Sequence, residues 1–139
     1  MSARRTSAAA RSRALREGGA DDAPATPPGL SGEAFAAVHD TYRLLDDHFD
    51  AIYAACRTDA ARAELRALHA SARDAYFAAI ARGLHDNNLV VQGIRRDLDA
   101  ANARIEQQLA TLEEVTAVLG LLTEAVRLAG ALVGLAAVG

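Results

Sequence analysis

At 139 residues the chain holds about one domain's worth of sequence, and the 51% of it that is apolar is enough for a modest core. Aromatics are only 4%, Trp is absent, and Ala and Leu dominate, a bias that favours closely packed helices and offers no convincing strand. A net charge of −3 argues against a body that binds polyanions, and the single cysteine, Cys56, excludes an internal disulfide.

Residues 1–30 read as a disordered leader rich in Arg and Ala and closed by prolines. Arg4, Arg5, Arg11, Arg13 and Arg16, set against Glu17, Asp21 and Asp22, give it about +2 and leave about −5 on the remainder. It lacks a continuous apolar stretch, so it does not read as a secretory signal peptide, and the sequence leaves the location open between cytoplasmic and membrane-associated. Gly18, Gly19, Pro24, Pro27 and Pro28 stop any helix that begins near Ala8. No aromatic is interleaved with the arginines to stack on bases, so nucleic acid is not an expected partner.

Residues 31–139 read as one helical domain. Ser31 is a good N-cap after Pro28 and Gly29, and Glu33 suits the positive end of the helix dipole. From there Phe35, Val38, Tyr42, Leu45, Phe49, Ile52 and Cys56 recur at spacings of three and four, the mark of a heptad seam. Arg57, Thr58 and Asp59 interrupt that register, and Thr58 or Asp59 can cap a second helix over about residues 60–83. Its seam is Ala61, Leu65, Leu68, Ala72, Ala75 and Ala79; such small side chains let two backbones approach closely. Tyr76, Phe77, Ile80 and Leu84 widen its apolar face, which predicts contact with more than one neighbour. Gly83 followed by His85, Asp86, Asn87 and Asn88 is the strongest turn signal of the body.

A third helix is expected from about Asn88 almost to the end. Its seam contains Val91, Ile94, Leu98, Ala101, Ile105, Gln108, Leu112, Val115, Leu119, Leu122, Val126 and Ala129. Gln108 alone spoils it and reads as a polar residue that fixes register, the alternative being a harmless edge position. Roughly fifty residues of helix would reach about 75 Å, close to the first two helices laid end to end, so a long antiparallel hairpin is one solution. A bend at Gly120 would give a three- or four-helix bundle instead. The fold class expected is therefore all-α, a hairpin or bundle with coiled-coil packing.

The last stretch, residues 128–139, has no charge on any face: Leu128, Gly130, Leu132, Val133, Gly134, Leu135 and Val138 form an apolar segment that something must cover. As helix its twelve residues span about 18 Å, against a bilayer core of about 30 Å. Extending it back to Val115 brings in Glu124 and Arg127, each costing about 2.5–3.5 kcal/mol at a membrane centre. The segment therefore reads either as a buried helix of a bundle or oligomer, or as a membrane-contacting element in which Gly130 and Gly134 supply a small-residue spacing.

Nothing in the sequence marks a catalytic, cofactor or metal site. No two histidines lie three or four residues apart, and nucleophile motifs, phosphate loops and Cys pairs are missing. The expected function is that of a non-enzymatic structural or interaction protein that self-assembles or docks on a larger assembly. Its seam would be Phe35, Val38, Tyr42, Leu45, Phe49, Ile52, Ile94, Leu98, Ile105, Leu112, Leu119, Leu122 and Val126. The expected partner is a second copy or another protein, and the alternative is a membrane-active or membrane-anchored protein acting through its last helix.

Overall fold

Three breaks divide residues 32–137, the part of the chain that the computed structural model describes, into four helices: α1 (Glu33–Ala55), α2 (Asp59–Arg82), α3 (Leu89–Thr111) and α4 (Val115–Ala136). The leader at 1–30, the cap expected of Ser31 and the apolar Val138 lie outside the described residues. Local chemistry sets most of the ends. Thr58 caps α2 by accepting a hydrogen bond from the Ala61 amide at 3.0 Å, and Gly83 closes it at φ 74, a conformation that suits glycine. The Asn88 side chain caps α3, accepting from the amides of Val90 at 2.8 Å and Val91 at 3.3 Å. Gly32 precedes α1 and contributes no side-chain cap.

Helix α1 packs against each of the other three, α4 packs against α2 and α3, and α2 and α3 do not touch. Around the bundle the order is therefore α1, α2, α4, α3. Arg95 of α3 reaches Glu33 at the start of α1 at 2.9 Å, and the His85 amide donates to the Ala136 carbonyl at 2.9 Å. The start of α1, the 83–88 turn and the end of α4 thus share one end, here called proximal. The turns at 56–58 and 112–114 form the distal end.

The break at 112–114 corrects the single long third helix, and it falls eight residues before the alternative bend at Gly120. No Gly or Pro marks it. Leu112 itself adopts φ 53, the left-handed region, and Glu114 precedes α4 without a side-chain cap. Placing a leucine there costs roughly 1–2 kcal/mol. Folding back buries Val118, Leu119, Leu122, Leu128, Leu132 and Val133 of α4 against the rest of the bundle. At roughly 1.5–3 kcal/mol for each such side chain, burial outweighs the local cost severalfold. Gly120 sits inside α4 on an open face, where a Cβ would meet no atom within 4 Å.

The register pin also differs from the expected one. Gln108 is exposed. The buried polar pair is instead Thr41 of α1 and Asn102 of α3. The Thr41 hydroxyl donates to Asn102 Oδ1 at 2.8 Å, and Asn102 Nδ2 donates to the Ala37 carbonyl at 3.1 Å. A hydroxyl has one proton and Asn Oδ1 can only accept, so this assignment satisfies both side chains and fixes α1 against α3. Replacing Thr41→Val should cost about 1–3 kcal/mol by leaving Asn102 Oδ1 buried without a donor. Thr41→Val combined with Asn102→Leu should recover part of that loss in urea unfolding. Strict additivity of the two single changes would show that the network contributes nothing.

Candidate interaction surface

The expected seam divides into two rows. Val38, Leu45 and Ile52 of α1 are 0–1% exposed and face the core, together with Leu98, Ile105, Leu119 and Leu122 from α3 and α4. Ile94, Leu112 and Val126 are half-buried and pack on that core. Of the apolar terminal segment, Leu128, Leu132 and Val133 are buried, Gly130 and Gly134 face outward, and Leu135 is exposed. The segment is thus covered chiefly by the chain's own helices.

The second row, Phe35, Tyr42 and Phe49, stays half-buried on the rim between α1 and α2. Extended by His39 and Tyr53, it runs along α1 at spacings of four, three, seven and four. Opposite it on α2 stand Arg62, Arg66, His69 and Tyr76, which repeat the spacings four, three and seven. Because α1 and α2 are antiparallel, the two rows meet along their length. The result is a continuous ladder of rings: Phe77 on Tyr76 at 5.7 Å, Tyr76 on Tyr42 at 5.2 Å, Tyr42 on His69 at 5.8 Å, His69 on Phe49 at 5.0 Å and Phe49 on Tyr53 at 5.8 Å. Phe35 and His39 join it through Tyr76, at 5.8 and 5.1 Å. At the distal end Arg66 donates to the Tyr53 hydroxyl at 3.2 Å, and the Arg62 and Arg66 guanidinium groups lie 5.8 and 5.9 Å from the ring centre.

All three Phe and all three Tyr of the chain belong to this ladder, and none is fully buried. The core is built without them. Tyr53, His69 and Arg66 were not singled out by the sequence pattern, although the four-residue step from Phe49 to Tyr53 is the signal that extends the row.

Charged groups hold the ladder in place. His69 Nε2 lies 3.0 Å from Asp46 Oδ1, and Arg43 bridges Asp40 and Asp47 along α1 at 3.7 and 3.6 Å. His48, one step off the row, places Nδ1 3.0 Å from the Leu44 carbonyl. Among the described residues no three His, Cys, Asp or Glu side chains converge at metal-ligand spacing, and Cys56 is buried and unpaired. At the distal end a cleft of about 440 Å³ lies between Ala54, Ala55 and Arg57 on one side and residues 112–116 on the other. Arg57, Glu113, Glu114 and Thr116 are its polar lining.

Comparison of the chain with protein-family models, with curated proteins and with solved structures gives no match. The functional reading therefore rests on the chemistry of the surfaces themselves.

Within the ladder His39 carries a pH-sensitive contribution. Burial beside Phe35 and Tyr76 lowers its pKa below 6.5; Asp40 and Asp47 oppose the shift, while Arg43 adds to it. A histidine whose pKa is lower folded than unfolded takes up its proton more readily in the unfolded chain. Its stabilisation is therefore complete above pH 6.5 and declines as pH falls from 6.5 through the folded value. Urea midpoints measured between pH 7.5 and 5 should fall for the wild type and fall less for His39→Phe. Equal slopes for the two proteins would contradict the assignment.

Proposed function

We propose that the protein is a non-enzymatic interaction protein that self-assembles or docks on a larger assembly, and that the α1–α2 aromatic ladder supplies its contacts. The observation that carries this reading is the placement of every Phe and Tyr on a half-exposed rim. Fully burying such a ring removes roughly 150–250 Å² from water, so a chain built for stability alone gains most by putting its rings inside. Aromatic residues and Arg are the side chains enriched at the centres of protein interfaces, and the ladder combines both. Its rings are held in register by one another and by the Asp46–His69 pair, so little side-chain freedom is lost when a partner covers them.

The heptad pattern contributes in two ways to this function. Val38, Leu45, Ile52, Leu98, Ile105, Leu119 and Leu122 build the platform, and Phe35, Tyr42 and Phe49 offer the contact row. A membrane role for α4 is favoured by its 22 residues, of which only Glu124 and Arg127 are charged. Nine of its residues, however, are buried within the bundle, so insertion of α4 would dismantle the core. A protein partner for the ladder requires no such unfolding.

The test is sedimentation over a concentration series for the wild type and for Phe49→Arg and Tyr53→Asp. The reading expects the wild type to form a defined oligomer and both variants to shift toward the monomer with unchanged helical circular dichroism. Wild-type protein that stays monomeric throughout contradicts self-assembly; an oligomer indifferent to both substitutions places the contact elsewhere.

A further inference from the structure

We infer that the aromatic ladder seats a second copy of this chain, in a two-fold dimer that lays α1 of each copy along α2 of the other. The inference rests on the reading of the ladder as a contact surface and names its partner. Charge on the two sides of the ladder carries it. Along α1, Asp46 and Asp50 are exposed and, at about 100° per residue, lie within about 80° of Tyr42 around the helix. Along α2, Arg66 and Arg73 are exposed and lie within about 60° of His69. The rings thus run between an acidic edge and a basic one. Neither edge is neutralised by its own helix. Arg43, the single basic residue of α1, is engaged by Asp40 and Asp47. On α2, Asp59 is paired with Arg62, Glu64 accepts from Thr123 of α4, and Asp74 lies about 140° from His69.

Some of the edge charge has no use within the chain. Asp50 and Arg73 have no hydrogen-bonding or ion-pair partner among the described residues, and Asp46 keeps 51% of its side chain exposed beside His69. A face with one acidic and one basic edge is complementary to itself under a two-fold axis, which is why a second copy fits it. Its size is also sufficient. Helices of 23 and 24 residues are about 35 Å long and two side by side about 20 Å wide, so the face offers roughly 700 Å², close to the ~800 Å² per partner of a standard specific interface.

The levels of the charges along the ladder select the axis. His69 lies against both Tyr42 and Phe49, and Arg66 reaches the Tyr53 hydroxyl. Arg66 therefore stands level with about residues 50–53 of α1, and Arg73, one heptad along, with about residues 43–46. A two-fold axis parallel to the helices keeps these levels and exchanges the sides. Asp50 of each copy then meets Arg66 of the other, and Asp46 meets Arg73. An axis across the helices would set α1 on α1 and bring the two acidic edges together, which like-charge repulsion disfavours.

Sedimentation of charge-reversed chains tests this pairing. One chain carries Arg66→Glu with Arg73→Glu, the other Asp46→Arg with Asp50→Arg. The wild type should form a dimer that weakens as salt is raised. Each reversed chain alone should raise the dimer dissociation constant about ten-fold or more, and an equimolar mixture of the two should form a mixed dimer, because every basic edge then meets an acidic one. A milder chain, Asp50→Asn with Arg73→Gln, changes two positions without partners in the fold and should weaken the dimer and flatten its salt dependence. An unchanged salt dependence in that chain, or failure of the mixture to associate while both reversed chains keep the wild-type helical circular dichroism, overturns the proposal. A wild-type dimer that ignores both reversals also overturns it; if that dimer still dissociates with Phe49→Arg, the ladder remains the contact surface and only the pairing of its edges is wrong. A wild type that stays monomeric overturns self-assembly and this proposal together.

Discussion

The apolar character of α4 is the constraint from which the rest of the structure follows. Its 22 residues carry one acidic and one basic side chain, Glu124 and Arg127, which pair with each other on the exposed face. A helix of that composition cannot stand in water on all sides, and one continuous with α3 would leave most of it bare. Folding back at Leu112 brings α4 against α1, α2 and α3 together. The alanines of α2, with Ala125, Ala129 and Ala136 of α4, keep the facing surfaces shallow and let the backbones approach. The left-handed leucine at the turn is the local strain accepted in return.

Once α4 packs against the other three helices, they have only part of their apolar surface left to bury. The heptad residues of α1 separate into Val38, Leu45 and Ile52, which are buried in the core, and Phe35, Tyr42 and Phe49, which lie over α2 at the rim. The rim lets the edges of the rings reach water and their neighbours.

Much of the fold was legible in the sequence. Thr58 and Asn88 by their capping side chains, and Gly83 by its tolerance of positive φ, announce two of the breaks, and the three- and four-residue spacing of α1 marks it as an amphipathic helix. What could not be read locally was decided by tertiary packing. The turn at 112–114 has no residue that requires it, and the seam runs through it without interruption, so periodicity alone extends the helix. Gln108 and Asn102 are both polar residues near the α3 seam; only the position of Thr41 on another helix decides which one is buried. The candidate surface was half legible for the same reason. Phe35, Tyr42 and Phe49 belong to a visible stripe, whereas their exposure, and their alignment with His69 and Tyr76, depends on which side of α1 faces α2.

The central claim is that α4 folds back beside α3 in the same chain, and a distance measurement tests it directly. Spin labels on cysteines replacing the exposed Asp97 and Gly130, in a chain carrying Cys56→Ala, lie side by side in the hairpin. The measurement is pulsed dipolar spectroscopy, with labelled protein diluted into an excess of unlabelled protein so that only distances within a chain are read. Packed helix axes lie 8–10 Å apart, so the account expects one distribution below about 25 Å. A distribution near 50 Å, the span of some thirty-three residues of unbroken helix, would contradict it.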